Sequence, residues 1–298
     1  MIGQSLVIGA SGQVGNQIVL ALGGAAVRAA RGGHSSEWVE ADLESMASCP
    51  SSAAMLIAEQ DCQAAYCVGG ATNVERCETD PEWAINTNFL GPVALAKAAI
   101  NIPFVYFSTE YVFDGANGPY RETDSRSPIS IYGWSKSLAE QEILSIHPRA
   151  LIVRTTVVYG SDPREKSFLY SLRTQLSLGK TVRVPVDQIS TPTYNRDLAL
   201  ATLQLVKHGA SGVFHVCGPE LLSRCDLAIL AAHIMQLDAS LVVGVSTAEL
   251  NQIAPRPLHA GLSIDKLLTC IPSISMCGAN AGISEWMHSL KSESTLEP

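Results

Sequence analysis

Gly9-Ala-Ser-Gly12-Gln-Val-Gly15 is the stretch on which the fold turns. Before it, Ser5-Leu-Val-Ile is a short apolar run of strand character. After it, Asn16 to Leu22 reads as a helix. Glycines at such a junction permit a tight turn, close packing of helix on strand, and approach of backbone N–H groups to a pyrophosphate. The helix N-terminus adds a favourable partial charge for that anion. Glycine-rich turns also arise for steric reasons alone. This one gains weight from its place at the first strand–helix junction of an α/β chain. Gly9, Ser11, Gly12, Gln13, Val14 and Gly15 are the candidate cofactor-binding residues of the loop.

The same alternation continues outward. Ala25 to Ala30, Ala64 to Val68, Pro103 to Ser108 and Ala150 to Arg154 read as strands. Pro81 to Ala99 and Ile131 to Leu144 read as helices. Strands of continuous apolar character separated by helices predict a parallel sheet covered on both faces. Right-handed crossovers then give a doubly wound, Rossmann-type α/β fold. After Tyr159 the pattern loosens. Helices are expected at Ser167 to Leu178, Asn195 to Lys207 and Asp226 to Gln236, and strands near Val182 and Val213. Residues 1–160 are read as the dinucleotide-binding domain. Residues 161–298 are read as a smaller, intermittent substrate lobe, some of whose segments return to the first domain. Ser292 to Pro298 is expected to fray.

Composition narrows the function. The chain has 298 residues, with 20 Lys and Arg against 28 Asp and Glu, a net charge of −8. That balance counts against a nucleic-acid binder, which needs a basic face. No apolar stretch reaches the length of a membrane span, and no basic region precedes the apolar N-terminus, so neither a membrane partner nor a signal peptide is expected. The eight cysteines are scattered without a Cys-x-x-Cys pair, as in a reduced, cytoplasmic protein. The seven histidines show no metal-ligand spacing, and no metal site is expected.

An acid at the end of the second strand would bind the ribose hydroxyls of NAD. Here the segment is Val27-Arg-Ala-Ala-Arg31, with no acid. A guanidinium suits a 2′-phosphate, so Arg31, ahead of Arg28, is expected to favour NADPH, with NADH use left open. The chemistry is expected from Tyr132-Gly-Trp-Ser-Lys136, whose ends share a helix face. A phenol near pKa 10 exchanges protons slowly at neutral pH, and a neighbouring ammonium would lower it. Tyr132 is thus a candidate general acid with Lys136 tuning it. Thr109, at a strand end on the carboxyl edge of the sheet, is a candidate hydroxyl for stabilising a substrate oxygen, or simply a cap.

With these residues in place, a resemblance becomes specific. Ser108-Thr-Glu-Tyr-Val-Phe-Asp-Gly115, Gly118-Pro-Tyr-Arg-Glu-Thr-Asp124 and Pro128-Ile-Ser-Ile-Tyr-Gly-Trp-Ser-Lys136 resemble the signature of the dTDP-4-dehydrorhamnose reductases, extended short-chain dehydrogenases/reductases. Gly70 to Ala84, Arg154 to Gly160 and Asp187 to Tyr194 agree with that family. The resemblance implies an NADPH-dependent reductase of a nucleotide-linked 4-keto-6-deoxy sugar. It places Thr109, Tyr132, Lys136 and Asn88 on catalytic positions, and Asp42 and Leu43 near the adenine. Gly69, Gly70, Ala71 and Thr72 fall beside the nicotinamide ribose. Val74, Thr109, Glu110, Tyr111, Val157 and Gln188 fall on the substrate side. The family usually has Asp at Glu110, an aromatic or His at Ala71, and Trp at Val157. Trp134 is a candidate to refill the last position. Arg154, Arg173 and Arg196 are candidates for the substrate diphosphate. A homodimer is a further implication. Two other readings share the motifs: a nucleotide-sugar epimerase or dehydratase with retained NAD, and a non-catalytic NADP-binding regulatory subunit like that of methionine adenosyltransferase.

Overall fold

The computed structural model describes residues 3–32 and 37–294. Seven parallel strands form the central sheet: β1 (Ser5–Ile8), β2 (Ala26–Ala30), β3 (Val39–Glu40), β4 (Ala64–Cys67), β5 (Phe104–Thr109), β6 (Ala150–Thr155) and β7 (Gly212–His215). Their order is β3-β2-β1-β4-β5-β6-β7. The chain reverses direction across the sheet between β1 and β4, the place where doubly wound sheets open a ligand crevice.

The central strands β1, β4, β5 and β6 are apolar along most of their length because both faces are covered. Leu6 and Ile8 point to one side, with Phe104, Tyr106 and Ile152. Val7 points to the other, with Tyr66, Val105 and Val153. The helices in chain order are α1 (Gln13–Leu22), α2 (Leu43–Ser48), α3 (Pro50–Gln60), α4 (Val74–Thr79), α5 (Pro81–Ile85), α6 (Gly91–Ala98), α7 (Ile131–Ile146), α8 (Phe168–Ser177), α9 (Asn195–Lys207), α10 (Arg224–Ile234), α11 (Asp265–Cys270) and α12 (Ala279–Ser294). Leu95 of α6 and Ile143 of α7 cover the first face; Ile18 of α1 and Leu198 of α9 cover the second.

Gly9 shows why the opening motif needs glycine. Its φ is +87°, and a Cβ there would lie 2.4 Å from the Gly69 backbone nitrogen. The loops after β1 and β4 therefore touch backbone to backbone.

The second half is interleaved with the first. β7 pairs with β6, and α9 packs against α1. The smaller lobe has its own core, in which Trp286 is fully buried and meets Tyr170 at 5.0 Å between ring centroids. Three expectations are corrected. The helix over 81–99 is interrupted by a π-helical turn, Asn86–Leu90. The helix expected from Asp226 begins two residues earlier, because the Ser223 hydroxyl accepts from the Asp226 N–H and caps it there. The C-terminal helix runs to Ser294, so the frayed tail does not begin at Ser292; residues 295–298 lie outside the described residues.

Candidate active site

The carboxyl edge of the sheet holds a cleft of about 400 Å³. The glycine loop forms one side, with Ser11, Gly12, Gln13 and Val14. No side chain caps the N-terminus of α1, so its first-turn N–H groups remain available to an anion. The Arg164 guanidinium lies nearby, with Nη2 3.3 Å from where a Gly12 Cβ would stand. An uncapped ten-residue helix, a glycine floor and a cation fit the pyrophosphate of a dinucleotide.

Opposite lie the reacting groups. Ser130 caps α7 by accepting from the Gly133 N–H at 3.2 Å, which places Tyr132 in the first turn and Lys136 one turn on. Thr109 ends β5 and accepts from the Tyr111 N–H at 3.2 Å. Thr109, Tyr132 and Lys136 all line the cleft. Tyr111 packs edge-on against the Tyr132 ring, with centroids 5.3 Å apart.

Burial pushes the Tyr132 phenol well above its ordinary value, and its hydrogen bond with Thr109 is the chief opposing influence. Lys136 is not among the chief influences on Tyr132 in the free protein. Lys136 is itself brought down to about 8 by burial. Its ammonium donates to the Phe107 carbonyl at 2.8 Å and lies 4.6 Å from the Tyr106 ring centroid. Tyr132 thus rests fully protonated, the form a proton donor requires.

Asn88 sits within the π-helical turn, a local widening often found at functional sites. Its Oδ1 accepts from the Ala71 N–H at 2.8 Å; its Nδ2 donates to the Ala71 carbonyl at 3.0 Å and to Ser135 Oγ at 3.1 Å. It ties the loop after β4 to α7. Between them, a Cβ on Gly70 would lie 2.9 Å from Asn88 Oδ1 and 3.2 Å from Lys136 Nζ. A side chain at Gly70 would press on the Asn88 amide and the Lys136 ammonium.

Beneath Lys136 on the same helix, Glu140 is fully buried. Arg154 grips it with Nε–Oε1 at 2.9 Å and Nη2–Oε2 at 2.7 Å, and Ser108 Oγ donates to Oε1 at 2.5 Å. This network fixes α7 to β5 and β6.

A scan of family models matches residues 4–281 to the RmlD substrate binding domain. The chain belongs to this family. A dTDP-4-dehydrorhamnose reductase of Mycobacterium tuberculosis is 32% identical over 275 residues, 87% of this chain and 84% of that protein. Methionine adenosyltransferase 2 subunit beta of Danio rerio is 30% identical over 197 residues, 64% of this chain and 61% of that one. Among solved structures, a dTDP-4-dehydrorhamnose reductase of Clostridium acetobutylicum superposes with a TM-score of 0.85 at 26% identity, covering 97% of this chain and 99% of that one.

Most of the residues that the family resemblance marked meet in the one cleft, among them Gly69, Gly70, Thr72, Val74, Glu110 and Val157. Val157 has a φ of +38°, a conformation that β-branched residues seldom adopt. Others lie apart. Ala71 is fully buried against Cys77 and Ala84, and only its backbone serves the site, through Asn88. Arg31 follows β2 on the same sheet edge and pairs with Glu44 at 3.9 Å. Asp42 caps α2 beside Leu43, whose side chain stands near Gly69. Gln188 bonds to Thr247 and Gln252 in the smaller lobe and does not line the cleft.

The arginine candidates for a diphosphate are corrected. Arg154 is committed to Glu140, Arg196 pairs with Glu285, and Arg173 does not line the cleft. Trp134 is 52% exposed on the outer face of α7 and refills nothing. The arginines that do line the cleft, Arg164 and Arg224, carried no local motif. Their placement depends on how the smaller lobe folds back.

Proposed function

We propose that this chain is an NADPH-dependent reductase of a nucleotide-linked 4-keto-6-deoxy sugar. The observation that carries the reading is the meeting of Thr109, Tyr132 and Lys136 with the uncapped glycine loop in one cleft. When bound, the dinucleotide supplies a hydride. Gln13, Val14 and Arg164 would hold its pyrophosphate, Lys136 its nicotinamide ribose, and Arg31 its 2′-phosphate. Thr109 and Tyr132 would bracket the ketone oxygen, Thr109 stabilising developing negative charge. Tyr132, kept protonated by burial, gives its proton to that oxygen. Asn88 and Glu140 hold Lys136 and the helix in register from either side.

The intact tyrosine, threonine and lysine favour turnover over a purely regulatory role. The absence of an acid after β2 argues against retained NAD. A cytoplasmic setting belongs to the proposal, supported by eight cysteines that all stand as free thiols. No described helix is long and apolar enough to cross a membrane. So does a homodimer, supported by Trp134 and Leu138, exposed one turn apart on α7 at 52% and 38%. Incubation with NADPH and a dTDP-4-keto-6-deoxy sugar should yield a product two hydrogens heavier by mass spectrometry. Unchanged sugar in the presence of bound NADPH would count against the substrate class.

A further inference from the structure

We propose that Arg224 and Glu110 form a proton-linked anion subsite, in which a substrate phosphate rests on the Arg224 guanidinium while Glu110 beside it is uncharged. The inference rests on the reductase reading in taking that anion to be a nucleotide sugar's diphosphate.

Three segments converge to make the subsite. Arg224 opens α10, its N–H donating to the Gln188 carbonyl at 2.9 Å. Its guanidinium lies 4.8 Å from the Phe168 ring centroid and lines the cleft. Among the described residues no ion pair or side-chain hydrogen bond engages it. Glu110, from the end of β5, is 6% exposed, and its Oε2 has no partner. Thr156, from the end of β6, is 4% exposed, and its hydroxyl faces the Glu110 carboxyl. All three line the same cleft.

Arg154 and Glu140 show what a structural pair looks like in this protein: they close to 2.7 Å. Arg224 and Glu110 influence each other yet form no such pair. Each keeps its hydrogen-bonding capacity for a third party. An anion on the guanidinium would repel a carboxylate but accept a hydrogen bond from a carboxylic acid.

Burial pushes Glu110 up to about 8, restrained first by the Thr156 hydroxyl and then by the Arg224 charge. An anion on Arg224 weakens that restraint, so binding draws a proton onto Glu110. The other groups facing Glu110 stay fixed. Burial raises the Tyr111 and Tyr132 phenols, and raises the Cys217 thiol to about 12. Arg256, near Arg224 and Tyr111, is paired with Glu75. Lys136 also titrates near 8, but the charges acting on it are Cys67, Cys77 and Glu140.

The cofactor carries phosphates too. Arg164 stands by the glycine loop and Arg224 by Glu110, so the subsite is assigned to the substrate. The test is calorimetric titration of the full chain near pH 8, with dTDP and separately with NADP⁺, in two buffers of different ionisation enthalpy. Wild type should take up roughly half a proton per dTDP, and Glu110→Gln none. Arg224→Gln should weaken dTDP by at least about tenfold, with Arg224→Lys recovering part of it, and leave NADP⁺ affinity unchanged. Proton uptake that persists in Glu110→Gln would overturn the proposal, as would dTDP binding indifferent to Arg224→Gln. Loss of NADP⁺ affinity in Arg224→Gln would assign the anion to the cofactor instead. An inactive keto-sugar assay alongside proton-linked dTDP binding would reject the reductase reading and leave the subsite standing.

Discussion

Glu110 lies in a nearly dry wall of the cleft. Its cost depends on pH with a definite sign. The folded protein holds the proton up to about 8, whereas an unfolded glutamate releases it near 4.5. The stability this contributes is complete below the unfolded value and is lost as pH rises through about 8. Glu110→Gln has no such loss. Its stability relative to wild type should improve between pH 5 and pH 9 by on the order of 3 kcal/mol, read from denaturant midpoints. Parallel curves for the two proteins would show that the carboxyl ionises freely. Tyr132 could be picked out from its spacing to Lys136. What governs its proton could not, because burial and the Thr109 contact are tertiary facts.

At the scale of elements, the decisive feature is a helix that is not one helix. A continuous segment over 81–99 fits the residue pattern, since nothing in Asn86-Thr-Asn-Phe-Leu90 is a helix breaker. The π-helical turn there places Asn88 between the loop after β4 and α7. Asn88→Ala would leave the buried Ala71 amide without its partner, costing on the order of 2–3 kcal/mol. Because that loop adjoins Lys136, kcat should fall more than the NADPH affinity does. A variant with wild-type kcat and melting temperature would remove Asn88 from the site. Four of the strands, β1, β4, β5 and β6, are legible in the sequence to within a residue or two, whereas the two-residue edge strand β3 carries no pattern of its own. The apolar runs of those four can be buried only in a two-faced parallel sheet.

For the whole molecule, the division at Tyr159 describes the sequence pattern better than the architecture. β7 and α9 lie beyond that boundary yet complete the first sheet and cover α1. That some segments return is expected from the intermittent pattern; which ones return leaves no local trace in the chain. For the same reason Arg164 and Arg224 were missed while Arg154, a cleft candidate on paper, is spent on Glu140. The outer face of α7 belongs to this scale as well. Trp134→Glu with Leu138→Glu should convert a dimer to a monomer in sedimentation velocity at micromolar concentration. A monomeric wild type, or a dimer indifferent to both charges, would place the assembly surface elsewhere.

The most direct test of the account compares wild type with Tyr132→Phe in NADPH oxidation driven by a dTDP-4-keto-6-deoxy sugar, with NADPH affinity measured on both. The account predicts oxidation by wild type, a loss of about 10²–10⁴-fold in the variant, and equal NADPH affinity. Oxidation that survives in Tyr132→Phe would contradict it.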